Sequence, residues 1–131
     1  MSHNRGADVS EEVEMRGRTS ISDEVISIIA RKAADKVEGV HQIADPNLSG
    51  MIRRLGRHAG VASEVGSDEA AIDVSIVVNY GMPIREVAAA LRGEIIQAVE
   101  TMTGMKVVEV NVDVHDVHVP KIEQRSRRQL E

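Results

Sequence analysis

Imidazole and carboxylate groups crowd most closely at His115-Asp116-Val117-His118 of this 131-residue chain. Both groups are ligands for zinc-type metals. On a regular strand, positions three apart point to opposite faces, so the two histidines could converge only through a bulge. Asp113 would share a face with His115, but no third or fourth ligand is evident. The segment therefore reads as a solvated strand end rather than a metal centre. No nucleophile elbow, P-loop or dinucleotide fingerprint occurs. The glycines at 50, 56 and 60 lack the Lys-Ser/Thr ending that phosphate binding requires. With no cysteine there is no disulfide, thiolate ligand or cysteine nucleophile. The chain reads as a non-enzyme with no catalytic residue, no cofactor and no metal.

Two features could bind rather than react. Arg53, Arg54, Arg57 and His58 lie beside Met51, Ile52 and Leu55. Such a pairing can touch an anionic lipid surface. The cluster is short, glycine-broken and without Trp or Phe, so a solvated basic loop at 45–60 is the plainer reading. Nucleic acid is disfavoured more broadly. Tyr80 is the only aromatic residue and the net charge is −5, which leaves neither stacking platforms nor a phosphate-coating surface. Residues 61–120 carry 10 acidic and 3 basic side chains, so the centre is acidic; residues 121–131 carry 4 basic and 2 acidic ones.

The elements that would position these groups are read from periodicity. Val and Ile supply 31 residues and Leu only 4, so the apolar material is β-branched. Ser22-Asp23-Glu24 is a helix start, with a hydroxyl cap and acids at the positive end of the dipole. Ile26, Ile29, Ala30, Ala33 and Val37 then recur at helical spacing, and Gly39 is placed as the stop. The spacing predicts a first helix over 22–38, followed by a short strand over Val40 to Ala44. Val61 to Val65 and Ala71 to Tyr80 predict a hairpin, in which Ile72, Val74, Ile76, Val78 and Tyr80 share one face. After Pro83, which suits the first helical position, a stripe of Ile84, Val87, Ala88, Leu91, Ile95, Ala98, Val99 and Met102 predicts a second helix ending at Gly104. In the last strand Val108, Val110, Val112 and Val114 face one way. Val117 and Val119 break that register, so a bulge is expected near His115-Asp116.

The expected fold is therefore α+β: a two-layer sandwich with a mixed, mostly antiparallel sheet of about four strands and two helices on one face. The final strand–helix–strand unit is a right-handed parallel crossover. Residues 1–17 and 120–131 read as flexible tails around a single domain at 18–119. Opposite its core stripe the second helix carries Ala89, Gly93 and Ile96, flanked by Ala90, and Ile28 sits off the first helix's stripe. A helix packed on one side only would show charge there. Small residues four apart let another backbone approach, so this face is a candidate contact with another subunit or a partner.

Ile21-Ser22-Asp23-Glu24-Val25-Ile26, Val37-Glu38-Gly39-Val40, the run from Asp73 through Pro83-Ile84, Met102-Thr103-Gly104 and the closing Val110-Asn111-Val112-Asp113-Val114-His115-Asp116-Val117 together resemble the alkaline shock protein family, the Gls-type envelope stress response proteins of Gram-positive bacteria. The resemblance covers about residues 16–119. It implies an abundant non-enzymatic protein in cell-envelope homeostasis, cytoplasmic or at the inner face of the cell membrane. It also implies self-association and attachment through a small membrane-anchored protein partner. The alternative is a KH-like nucleic-acid or ribosome-associated module. That needs a GxxG clamp and a basic face, whereas Gly56 and Gly60 are one residue too far apart and the centre is acidic.

Overall fold

The structure, a computed structural model, describes residues 13, 15–44 and 60–121. The segments expected to form the tails and the basic loop, with Arg53, Arg54 and Arg57, fall almost wholly outside them.

Helix α1 spans Asp23–Ala34. The Ser22 hydroxyl accepts the Val25 N–H, Asp23 and Glu24 occupy the first turn, and Arg31 and Lys32 the last, in keeping with the helix dipole. The helix stops short of the expected 38. Lys36 and Val37 donate their N–H groups to Ala33 and Ala34, tightening the exit into three-residue turns. Gly39, at φ +101°, then turns the chain into the sheet.

Strands β1 (Val40–Ile43), β2 (Val61–Val65) and β3 (Glu69–Asn79) precede helix α2 (Ile84–Thr103), which leads into β4 (Lys106–His118). β3 is the centre of the sheet. β4 runs parallel to it along its whole length, from Glu69↔Lys106 to Asn79↔His118. Both β1 and β2 are antiparallel to β3, at 76–78 and 70–74 respectively. Because β4 fills one edge of β3, β1 and β2 must lie end to end on the other. They form a single edge strand from which the chain departs after Ala44 and to which it returns at Gly60. The expected α+β sandwich and its parallel crossover are what the chain adopts.

Both helices cover one face. Ile26, Ile29, Ala30 and Ala33 of α1 and Val87, Leu91, Ile95 and Val99 of α2 close over Ile72, Val74, Ile76 and Val78. Removing this β-branched surface from water is the main favourable term in folding. The other sheet face carries Asp73, Glu109, Asn111 and Asp113. Three details differ from expectation. Tyr80 lies past the end of β3, where the chain turns at Gly81, and is 72% exposed. Met102 and Ile84 end the α2 stripe outside the core, 70% and 43% exposed. In β4 the register shifts twice. The bulge at His115 is the expected one, and a second at Val108 leaves that valine 50% exposed while Val107 and Val110 take the buried positions.

Candidate interaction surface

Helix α2 presents two outward surfaces. Ala89, Ala90 and Gly93 are exposed. Ile96 is half-buried and packs at the margin of the core, while Ile28 on α1 is 45% exposed. Four of the five lie on α2 and Ile28 lies on α1. Gly93 has ordinary helical backbone, and a Cβ built on it meets no atom within 4 Å. Nothing among the described residues requires glycine there. It borders an open groove of about 600 Å³ between the end of α1 and α2, lined by Lys36, Glu38, Met82, Glu86 and Ala90 among others.

The second surface is where α2 meets the free edge of β4. The Arg92 Nε donates to the Val110 carbonyl at 3.0 Å, and the Glu100 carboxylate accepts the Val107 N–H at 2.9 Å. Thr103 closes the helix, donating to the Val99 carbonyl and accepting the Met105 N–H. Gly104, left-handed at φ +74°, donates to the Glu100 carbonyl. Further along, the Asp116 carboxylate accepts the Val117 N–H at 2.8 Å. Unpaired edge groups invite pairing with other chains, and side chains that occupy them blunt that tendency.

The outer sheet face is acidic. The Asn111 amide donates to both Asp73 and Glu109, at 2.9 and 2.6 Å, holding two carboxylates on one side chain. The histidines meet differently from the sequence expectation. His118 stacks on His41, rings 3.8 Å apart and within 5° of parallel, while His115 occupies the bulge. Face-to-face rings do not present nitrogens to a shared ion. Among the described residues no group of three or more His, Asp or Glu is placed to hold a metal. His41 is the extra residue of a bulge in β1, a position that periodicity in so short a strand cannot signal. At the opposite end of the molecule, a hollow of about 730 Å³ lies between the start of α1, the β2–β3 turn and the α2–β4 turn. Ser63, on its wall, has a buried hydroxyl with no hydrogen-bond partner among the described residues. No described helix is long and apolar enough to cross a membrane.

Comparison with known proteins places this geometry. The chain is 35% identical over 101 residues to the uncharacterised protein YqhY of Bacillus subtilis, covering 75% of each chain. It is 28% identical over 107 residues to a stress response regulator gls24 homolog of Streptococcus pyogenes, covering 79% of this chain and 60% of that one. A MamM-CTD structure superposes with a TM-score of 0.51 at 14% identity, over 71% of this chain and 95% of that one; this likeness concerns the fold alone. Residues 11–119 match the profile of a family described as having cell envelope-related function. The resemblance in the helix-start, hairpin and closing-strand residues is thus confirmed: the chain belongs to the Asp23 family (a family name, unrelated to residue Asp23), the alkaline shock or Gls24-type proteins.

Proposed function

We propose that this protein is a non-enzymatic envelope stress response protein that works by contact, assembling with further copies of itself and docking to a membrane-anchored partner at the inner face of the cell membrane. Gly93 is the observation that carries the reading. A glycine inside a helix costs about 1 kcal/mol relative to alanine. No contact among the described residues explains this one, and close approach by another backbone would. The neighbouring Ala89 and Ala90 keep the approach open, with Ile28 and Ile96 as apolar margins. Arg53, Arg54 and Arg57, outside the described residues, are the proposed contact with an anionic surface. The family's envelope-related description supports the setting. Nothing in the comparisons supports the nucleic-acid alternative.

The test is the mass of the protein in solution together with crosslinking in intact cells. Wild type is expected to exceed monomer mass, or to crosslink to a membrane protein. Gly93→Arg should lose that association with its helical spectrum unchanged. A wild-type monomer without crosslinked partners would sink the reading.

A further inference from the structure

We propose that the β4 edge at Val112–Val114 accepts an added β-strand from another polypeptide, one that alternates apolar residues with Lys or Arg. This deepens the reading of the chain as an interaction protein, on which it rests, by naming the surface and the chemistry of the partner.

The argument begins with parity. Backbone groups of successive strand residues point alternately to the two edges, and each bulge resets the count. Lys106 donates to Asp68 and His118 accepts from Tyr80, so both ends of β4 point toward β3. With bulges at Val108 and His115, residues 107, 110, 112, 114 and 117 then point outward. The side-chain bonds described above agree: they meet the Val107 N–H, the Val110 carbonyl and the Val117 N–H. The outward N–H and C=O groups of Val112 and Val114 are left with no partner among the described residues.

The gap has a local cause. Glu100 reaches Val107 and Arg92 reaches Val110, so helix and strand run in opposite directions. One turn before Arg92 the helix carries Ala88 and Ala89, whose methyl groups cannot reach the strand edge.

Charge selects the occupant. Asp113 lies between the two valines on the outer face, with Glu109 and Asp116 on the same side. A neighbouring strand places its own side chains beside these, and opposite charges across strands favour pairing while like charges oppose it. A second β4 would bring acids against acids. A strand with Lys or Arg on the outer face and apolar residues beside Val112 and Val114 matches both sides.

The probe is a short, end-blocked peptide of alternating Val and Lys, added to the full chain while amide hydrogen exchange is followed. The Val112 and Val114 amides should slow about tenfold or more, since exchange reports opening of such bonds. A Val–Glu peptide should bind about tenfold more weakly. Val114→Pro removes an outward donor and should abolish the effect. Should that variant fail to fold, the surface pair Glu109→Lys with Asp113→Lys should reverse the peptide preference. Binding without protection of both amides overturns the inference, as does equal binding of the two peptides. Protection that rises with protein concentration alone would assign the edge to a second copy and overturn it too. If Gly93→Arg still dissolves the assembly when the peptide fails, the edge alone is wrong; if both fail, so is the contact-based reading.

Discussion

Ala44 and Gly60 share one position of the sheet. The Ala44 N–H donates to the Ser75 carbonyl at 2.7 Å, and the Ser75 N–H donates to the Gly60 carbonyl at 2.8 Å. Ile43 pairs with Ile76 and Val61 with Val74, so only Ser75 lies opposite the break. Two residues supply the donor and the acceptor that one strand residue would normally supply alone. The edge is a continuous strand opened at a single point.

Deleting residues 45–60, so that Ala44 runs directly into Val61, should therefore leave the fold intact. Ala44 would then offer Ser75 both its N–H and its carbonyl. Loop closure costs little per residue, so stability should stay within about 1 kcal/mol of wild type or rise. Thermal unfolding and amide exchange of β3 check this. Loss of a cooperative transition would refute the shared position. The same variant lacks Arg53, Arg54 and Arg57, so co-sedimentation with anionic vesicles tests their proposed contact on a folded protein.

Gly60 and Gly81 separate sterics from backbone conformation. Both have positive φ, +82° and +97°. A Cβ at Gly60 would run into the Ala44 carbonyl and lie 2.5 Å from the Ile43 Cγ2, whereas at Gly81 it meets no atom of the described residues within 4 Å. Gly81→Ala should cost about 1 kcal/mol, the left-handed penalty alone. Gly60→Ala should cost more, about 2–4 kcal/mol, because the strand ends must also part. Equal losses in denaturant unfolding would mean that the two ends do not abut.

That junction shows where the sequence is silent. α2 and the β2–β3 hairpin are legible because apolar residues recur at 3.6 and 2 positions and glycines mark their ends. β1 and β2 are legible as strands, but not as one strand, since residues 45–59 separate them and no local pattern records that both meet Ser75. The Val108 bulge is hidden because Val107 and Val108 are alike, so either could be the buried one. On α2, Ala89 and Gly93 stand out as small residues where charge is normal. Arg92 and Glu100 do not, because a polar residue capping a strand edge looks like one facing water. The open edge is the sum of these hidden features.

Gly93→Ala should stabilise the isolated chain by about 1 kcal/mol, because the methyl group enters open space and alanine loses less backbone entropy on folding. Denaturant midpoints measure this. If the protein is destabilised, something within the chain needs the glycine, and the case for an outside contact is lost.

Leu91 tests how far α2 depends on the sheet. It is fully buried at the middle of the stripe, and the core around it is built from rigid β-branched side chains that relax poorly into a gap. Leu91→Ala should cost about 2–5 kcal/mol, the range for cavity-forming core truncations. A loss below about 1 kcal/mol in chemical denaturation would place α2 outside the cooperative core.

Arg92 and Glu100 should protect as well as stabilise. Each satisfies one outward backbone group of β4, through a charged side chain at 3.0 and 2.9 Å. Replacing both by alanine should cost about 1–3 kcal/mol in all, the ordinary scale of two such bonds partly replaced by water. The larger consequence is geometric. The open stretch of edge would grow from Val112–Val114 to include Val107 and Val110, and longer unprotected edges recruit other chains. The double variant should therefore aggregate faster than a core variant of equal stability, such as one carrying a milder truncation at Ile95. Light scattering at matched fractions of folded protein distinguishes the two. If aggregation tracks stability alone, Arg92 and Glu100 are only structural bonds, and the edge of β4 is not held closed by them.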